Sequence, residues 1–252
     1  MVDELQLLVD LHKDGMRQGP GGASETSLAV SLSGLEGVAN LKIADIGCGT
    51  GASTLVLARE LDAHITAVDF LPEFLDKLEE AAGRAGVSDR ITTLSASMEA
   101  LPFAEAVYDA IWSEGAIYNM GFAAGIKAWS KYLKPNGILA ISELTWLTDQ
   151  RPEELQTHWD REYPEVGTAS GKMDVLERLG FSPIGYFALP VHCWLDNYYR
   201  PMQQRFSAYL DQHQNSEAAQ AIVLAEENEI SLYERHMDFV SYGYYIGRKV
   251  GG

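Results

Sequence analysis

Cysteine is nearly absent from this chain, with two in 252 residues, Cys48 and Cys193. Two thiols so far apart build neither a disulfide framework nor a zinc site, and a reducing, cytoplasmic setting is expected. Long apolar runs are missing as well. No stretch approaches the roughly 20 apolar residues that a bilayer crossing needs. The N-terminus, MVDELQLLVDLHKDG, carries acids early and has no basic region of the kind that begins a secretory leader. Positive charge is scarce: 19 Lys and Arg stand against 36 Asp and Glu, a formal charge of −17. Such a surface repels phosphate backbones, and no compact basic stripe offsets it locally. Nucleic acid and anionic membranes are therefore not expected as partners, and a small molecule is. Acids and histidines are too scattered for a divalent metal site with readable spacing, so no metal is expected. No G-x-S-x-G and no nucleophile–base pairing is found, and internal repeats and low-complexity tracts are lacking.

What remains is an ordinary globular composition, 46% apolar and 22% charged, in a length that suits one α/β domain. Residues 2–12 pattern as an amphipathic helix, with Leu5, Leu8, Val9 and His12 near one face. Gly15 to Gly22, GMRQGPGG, holds four glycines and a proline and cannot be a regular element. A helix is expected from Ser24 or Glu25 to about Leu35. A strand–helix rhythm then sets in: LKIADIG, a helix from about Ala52 to Leu61, HITAVDF, and a helix from about Pro72 to Ala85. Next come ITTLSAS, AIWSE, a helix from about Ala123 to Tyr132, and GILAISEL. This alternation with short connections predicts a mostly parallel sheet covered by helices on both faces. Beyond Thr145 the pattern loosens. A helix near Met173–Leu179, a strand near Gly185–Leu189 and a last strand at YYIGRKV are expected, with about fifty helical residues between those strands.

The chemistry concentrates at IADIGCGTGASTLVLA, a strand, then Gly47, Gly49 and Gly51, then a helix. In open α/β sheets ligands bind beyond the carboxyl ends of the strands, where this loop lies. Asp69 closes the next strand, eighteen residues after Gly51, where an acid accepts hydrogen bonds from both hydroxyls of a ribose. If Ala52 is counted the spacing also satisfies G-x-G-x-x-A, so a nicotinamide-dependent oxidoreductase stays open. Asp45, two residues before Gly47, suits a cationic ligand better than a pyrophosphate.

Here the sequence resembles the class I S-adenosylmethionine-dependent methyltransferases, whose acid-then-G-x-G-x-G motif is matched at Asp45, Gly47, Gly49 and Gly51 and whose ribose acid is matched at Asp69. ITTLSASMEALPF is similar to the family's third segment through Glu99, Leu101, Pro102 and Phe103. Ser97 stands there for the usual Asp and Met98 for a small residue, and the resemblance places both at the adenine. VYDAIWSEGAIY is similar to the fourth strand, and LKPNGILAISE, with its turn at Lys134 to Gly137, to the fifth. The resemblance spans about 110 residues. It implies a Rossmann-like, seven-stranded sheet, S-adenosyl-L-methionine as methyl donor with S-adenosyl-L-homocysteine as product, and a small-molecule acceptor. A single domain over 1–252 is expected, with N-terminal helices and a glycine-rich lid at 1–35, a cofactor-binding core at 36–145 and a helical insertion at 191–238.

The resemblance also assigns residues. Asp45, Gly47, Cys48, Gly49, Gly51, Asp69, Phe70, Ser97, Met98 and Ser113 are expected at the donor; residues 15–22 either order over the site as a lid, with Arg17 or Gln18 reaching the donor's carboxylate, or form a leader without contact to it. Methyl transfer needs alignment of the acceptor at roughly 3–3.5 Å and exclusion of water, with a base only when the acceptor arrives protonated. The resemblance places residues after the fourth strand beside the methyl group, which makes Glu114, Tyr118 and Asn119 catalytic candidates. Glu114 could act as a base, hold an acceptor cation or bind the donor's ammonium. Glu143 and Trp146 follow the fifth strand toward the same rim. VHCWLDNYY offers His192 as a base and, with Trp194, Tyr198 and Tyr199, either a cage for a cationic acceptor or the insertion's own core. A non-catalytic donor-binding module also stays open.

Overall fold

The computed structural model describes residues 4–251. Seven strands run in the order β3-β2-β1-β4-β5-β8-β7: β1 Leu41–Ile46, β2 Ala63–Asp69, β3 Ile91–Ser95, β4 Tyr108–Glu114, β5 Leu133–Trp146, β7 Phe181–Ala188 and β8 Val240–Lys249. A two-residue strand, β6 Gly167–Thr168, pairs with the end of β5 off this path. β1 to β5 pair in parallel, and β8 runs antiparallel between β5 and β7. The mostly parallel sheet is the one expected, with β6 in addition.

Alternation along the strands divides the core in two. Ile43, Ala110, Ile138 and Ala140 face one side, where they meet Ala29, Val30, Leu57 and Ala58 of the helices Ala23–Ser33 and Ala52–Glu60. Ala44, Ile46, Ile111, Leu139 and Ile141 face the other, against Ile126 and Trp129 of Phe122–Trp129 and Leu176 of Ala169–Arg178. Strands buried on both faces read as continuous apolar runs, which is why β1, β4 and β5 stand out in the sequence. Local chemistry fixes helix ends: Pro72 opens Pro72–Ala85 at a position that needs no N–H, and Gly86 closes it at φ +69°.

Helix boundaries shift by one to four residues from expectation, most at the helix expected near Met173–Leu179, which begins at Ala169; residues 2 and 3 of the first helix lie outside the described residues, and the remainder is helical over Glu4–His12. The helix Glu153–Glu162 has no counterpart in the sequence reading, because only Leu155 of it is fully buried and no apolar stripe marks it. The insertion is helical, running through Val191–Trp194, a π-type turn at Leu195–Tyr199, then Arg200–Gln203, Phe206–Gln212 and Glu217–His236. Its packing is aromatic: Trp194 stacks on Tyr233 at 4.4 Å and its Nε1 donates to Ser241 Oγ at 2.9 Å. Among the described residues no helix is long and apolar enough to cross a membrane.

Candidate active site

β1 is flanked by β2 on one side and β4 on the other, and the chain crosses over in opposite senses to reach them. Their carboxyl ends, Ile46, Asp69 and Glu114, therefore open onto one crevice. A cleft of about 490 Å³ lies there. Of the expected site residues it brings together Arg17, Gly47, Cys48, Gly49, Asp69 and Phe70, and from the other side Ser97, Met98, Glu114, Tyr118 and Asn119.

The loop is shaped by its glycines and by protein neighbours. Gly47, Gly49 and Gly51 have φ of +73°, +55° and +89°, where a side chain is strained. A Cβ at Gly49 would lie 2.3 Å from Gln18 Oε1, and one at Gly47 2.3 Å from Ala116 Cβ. Gly47 N and Cys48 N both donate to Val68 O, which pins the loop over β2. Asp69 at the tip of β2 accepts from Gly49 N and from Leu71 N, at 2.9 and 3.0 Å, and lines the cleft with lone pairs to spare. Burial pushes its carboxyl upward, opposed by those backbone donors.

Gly15–Gly22 closes one wall, as a segment without regular structure. Gln18 clamps it to the glycine loop: its Oε1 accepts from Thr50 N at 2.9 Å, and its Nε2 donates to Thr50 Oγ1 and Gly15 O, both at 3.1 Å. Gln18 is thus engaged by protein rather than free to reach a ligand. Arg17 faces the cleft with its Nη1 on Glu114 Oε2 at 2.9 Å.

Several expected roles are corrected. Glu114 is held by the protein: besides Arg17 its carboxylate accepts from Thr26 Oγ1, Trp112 Nε1 and Tyr244 OH at 2.7, 3.1 and 3.0 Å. Asp45 does not line the cleft. It is fully buried beneath the loop, where its Oδ2 accepts from Ser53 and Thr54 hydroxyls at 2.8 and 2.7 Å while Oδ1 has no partner. Burial pushes it up to about 7 against those two bonds. Ser113 is buried too, its hydroxyl spent on Ile46 O at 2.8 Å, so it braces β4 to β1. Gly51 caps the helix Ala52–Glu60 and packs on Leu78 outside the cleft. Asn119 donates to Ala116 O at 3.0 Å and lines this cleft. His192 lies away from the cleft, its Nε2 3.4 Å from Glu25 Oε1. With Cys193 these two form a group whose ligand atoms lie within 4.8 Å of one another, a juxtaposition that no sequence spacing announces. Trp146 is core, with the Arg151 guanidinium 4.2 Å over its ring.

The cleft continues into a cavity of about 220 Å³, sharing Gln18, Gly19, Pro20, Gly115 and Tyr118 with it. Glu143, Trp194 and Tyr198 line this cavity, while Tyr199 is core beside it. Trp159, Tyr163, Glu229 and Tyr242 also line it. The sequence reading missed these four, which lie outside every motif and converge only through folding.

Residues 43–137 match the family described as methyltransferase domain. The dimethylglycine N-methyltransferase of Parasynechococcus marenigrum is 31% identical over 102 residues, 40% of this chain and 36% of that protein. The matches span about half or less of the length of three of the curated relatives it resembles. Among solved structures, a SAM-dependent methyltransferase from Geobacter sulfurreducens in complex with S-adenosyl-L-homocysteine superposes with a TM-score of 0.83 at 18% identity, covering 98% of this chain and 99% of that one. The [4+2]-cyclase SpnF superposes with a TM-score of 0.76 at 18% identity, over 98% and 93%. At such identities the likeness is one of fold, and a fold does not by itself name a reaction.

Proposed function

We propose, on the premise that residues 43–137 form a methyltransferase domain in a chain with the class I methyltransferase fold, that the protein transfers a methyl group from S-adenosylmethionine to a small-molecule acceptor and releases S-adenosylhomocysteine. The observation that carries this reading is the meeting of the glycine loop and Asp69 in one 490 Å³ cleft that opens into a second cavity. The residues fit the donor. Asp69 supplies acceptors for ribose hydroxyls, Met98 and Phe70 supply apolar surface for a base, and Arg17, anchored by Glu114, supplies a cation for a carboxylate.

The donor supplies a methyl carbon already activated by the adjoining sulfonium charge. The chain's own task is alignment and exclusion of water. Gly115 and Tyr118 border both cavities and so mark where donor and acceptor meet. The lid residues Gly19 and Pro20 cover that junction.

Labelled methyl transfer from S-adenosylmethionine into a cell-metabolite extract, read by mass spectrometry, is expected to give a protein-dependent product. Asp69→Ala should weaken S-adenosylhomocysteine binding at least tenfold by calorimetry. Unchanged affinity in that variant would remove Asp69 from the donor site, and tight donor binding without any labelled product would point to a binding module.

A further inference from the structure

The second cavity has a wall chemistry that a neutral acceptor leaves unexplained. Six aromatic rings face it, those of Tyr118, Trp159, Tyr163, Trp194, Tyr198 and Tyr242. Three carboxylates stand among them: Glu162, which pairs with Arg161 at 2.7 Å, Glu143 from the end of β5, and Glu229 from the helix Glu217–His236. The hydrogen-bond partners of the last two are neutral. Glu143 accepts from Leu144 N at 2.6 Å and Tyr163 OH at 3.3 Å, and Glu229 accepts from Tyr199 OH at 2.8 Å. Among the described residues neither makes an ion pair within 4 Å. A carboxylate withdrawn from water without an ion-pair partner is costly; the Lys172 charge acts on Glu143 from beyond 4 Å, no cation acts on Glu229, and two such groups in one aromatic cavity form the complement of a cation rather than of an apolar group.

We propose that this cavity is the acceptor subsite and that it takes a small amine in its ammonium form, held over the aromatic faces and balanced by Glu143 and Glu229. The proposal rests on the methyl-transfer reading and names its substrate class. Aromatic faces attract ammonium groups within about 6 Å of a ring centroid. The chain shows the same chemistry next door: the buried Lys172 ammonium lies 4.4 Å from the centroid of the Phe122 ring and 5.9 Å from that of Tyr163, with Glu143 and Glu165 near enough to act on it.

The step balances. The ammonium sheds one proton to the Glu143 carboxylate, and the freed lone pair on nitrogen forms the N–C bond. The methyl carbon's bond to sulfur breaks, its electron pair staying on sulfur as a neutral thioether, and the product is the methylated ammonium. Burial pushes Glu143 up to about 7, opposed by the Lys172 charge and by the Leu144 and Tyr163 donors and assisted by Glu165, so it exchanges a proton near neutrality. Tyr118 and Tyr242 also face it and stay protonated, their phenols pushed upward by burial.

Choline and 3,3-dimethylbutan-1-ol have the same shape and differ in charge. The test titrates each into the full chain saturated with S-adenosylhomocysteine. Choline is expected to bind at least tenfold tighter than the alcohol. Glu229→Gln and Glu143→Gln should each weaken choline about tenfold, leaving alcohol and S-adenosylhomocysteine affinities within twofold. Choline carries no proton to lose at its nitrogen, so its affinity should rise from pH 6 to pH 8 in the wild type and rise less in Glu143→Gln, where Glu229, also pushed upward by burial and by Glu162, remains. Thermal unfolding of each variant confirms that it is folded, and Glu229→Gln stands in if Glu143→Gln, beside Lys172, is not. Equal binding of alcohol and choline, or full choline affinity in the folded variants, overturns the amine assignment while S-adenosylhomocysteine binding keeps the donor reading. Loss of S-adenosylhomocysteine binding by the wild type overturns both.

Discussion

Glu114 shows how a residue's prominence in a sequence and its task in the fold can differ. A carboxylate at the mouth of a buried strand reads as chemistry, yet it accepts four hydrogen bonds and pairs with Arg17 at 2.9 Å, both side chains largely buried. Breaking a buried pair by removing one charge costs about 3–5 kcal/mol, because the other charge is left uncompensated. Glu114→Gln should therefore lower the unfolding free energy by roughly 3 kcal/mol in urea, and Arg17→Gln in the same chain should restore part of it. A variant that unfolds at the wild-type midpoint would remove Glu114 from the scaffold and return it to the list of candidate bases. The sequence held Glu114 but not its partner. Arg17 lies in an irregular segment, and only folding brings it across the cleft.

At the scale of elements the lid and the glycine loop act as one unit. Gln18 reaches Thr50 through both its amide oxygen and its amide nitrogen. Gln18→Leu keeps the bulk and removes these bonds. It should expose Arg17 to trypsin at least tenfold faster and weaken S-adenosylhomocysteine about tenfold. Wild-type cleavage rates would mean that the lid is held elsewhere. Glycine positions separate strain from contact. Gly86 at φ +69° has nothing within 4 Å of a built Cβ, so Gly86→Ala should cost about 1–2 kcal/mol from left-handed strain alone. Gly49→Ala adds a 2.3 Å approach to Gln18 and should also lose donor affinity. Equal effects on donor binding would contradict a packed lid. The strand–helix alternation was legible because these strands are buried on both faces. The helix Glu153–Glu162 was not, because Leu155 is its one fully buried residue and Trp159 packs on the core only in part.

The whole molecule carries a formal charge of −17 and three carboxyls, Asp45, Glu143 and Glu226, that burial pushes up to about 7. Each has a folded value above its ordinary one, so the folded chain holds protons that the unfolded chain releases. The stability they give is complete below about pH 4 and is lost as pH rises through 7. For Glu143, from 4.5 to about 7, this amounts to roughly 3 kcal/mol. Self-repulsion of the acidic surface acts in the same direction. The melting temperature should fall from pH 5 to pH 7.5, and Glu143→Gln should flatten that slope by more than Glu99→Gln, a change on the exposed rim. A melting temperature that climbs over that interval, or equal slopes in the two variants, would refute the buried-carboxyl account.

The sequence by itself determined the sheet, the glycine loop and the acid at the end of β2. These depend on local necessity: buried strands need apolar runs, turns at positive φ need glycine, and a strand end fixes where its next side chain points. The tertiary structure decided everything that depends on encounters between distant segments. It buried Asp45 and Ser113, turned His192 away, gave Glu114 to Arg17, and gathered Glu143, Trp159, Tyr163, Glu229 and Tyr242 around one cavity. Side chains from the fifth strand, two separate helices and the last strand meet there because the insertion folds back over the sheet, and no spacing along the chain encodes that closure.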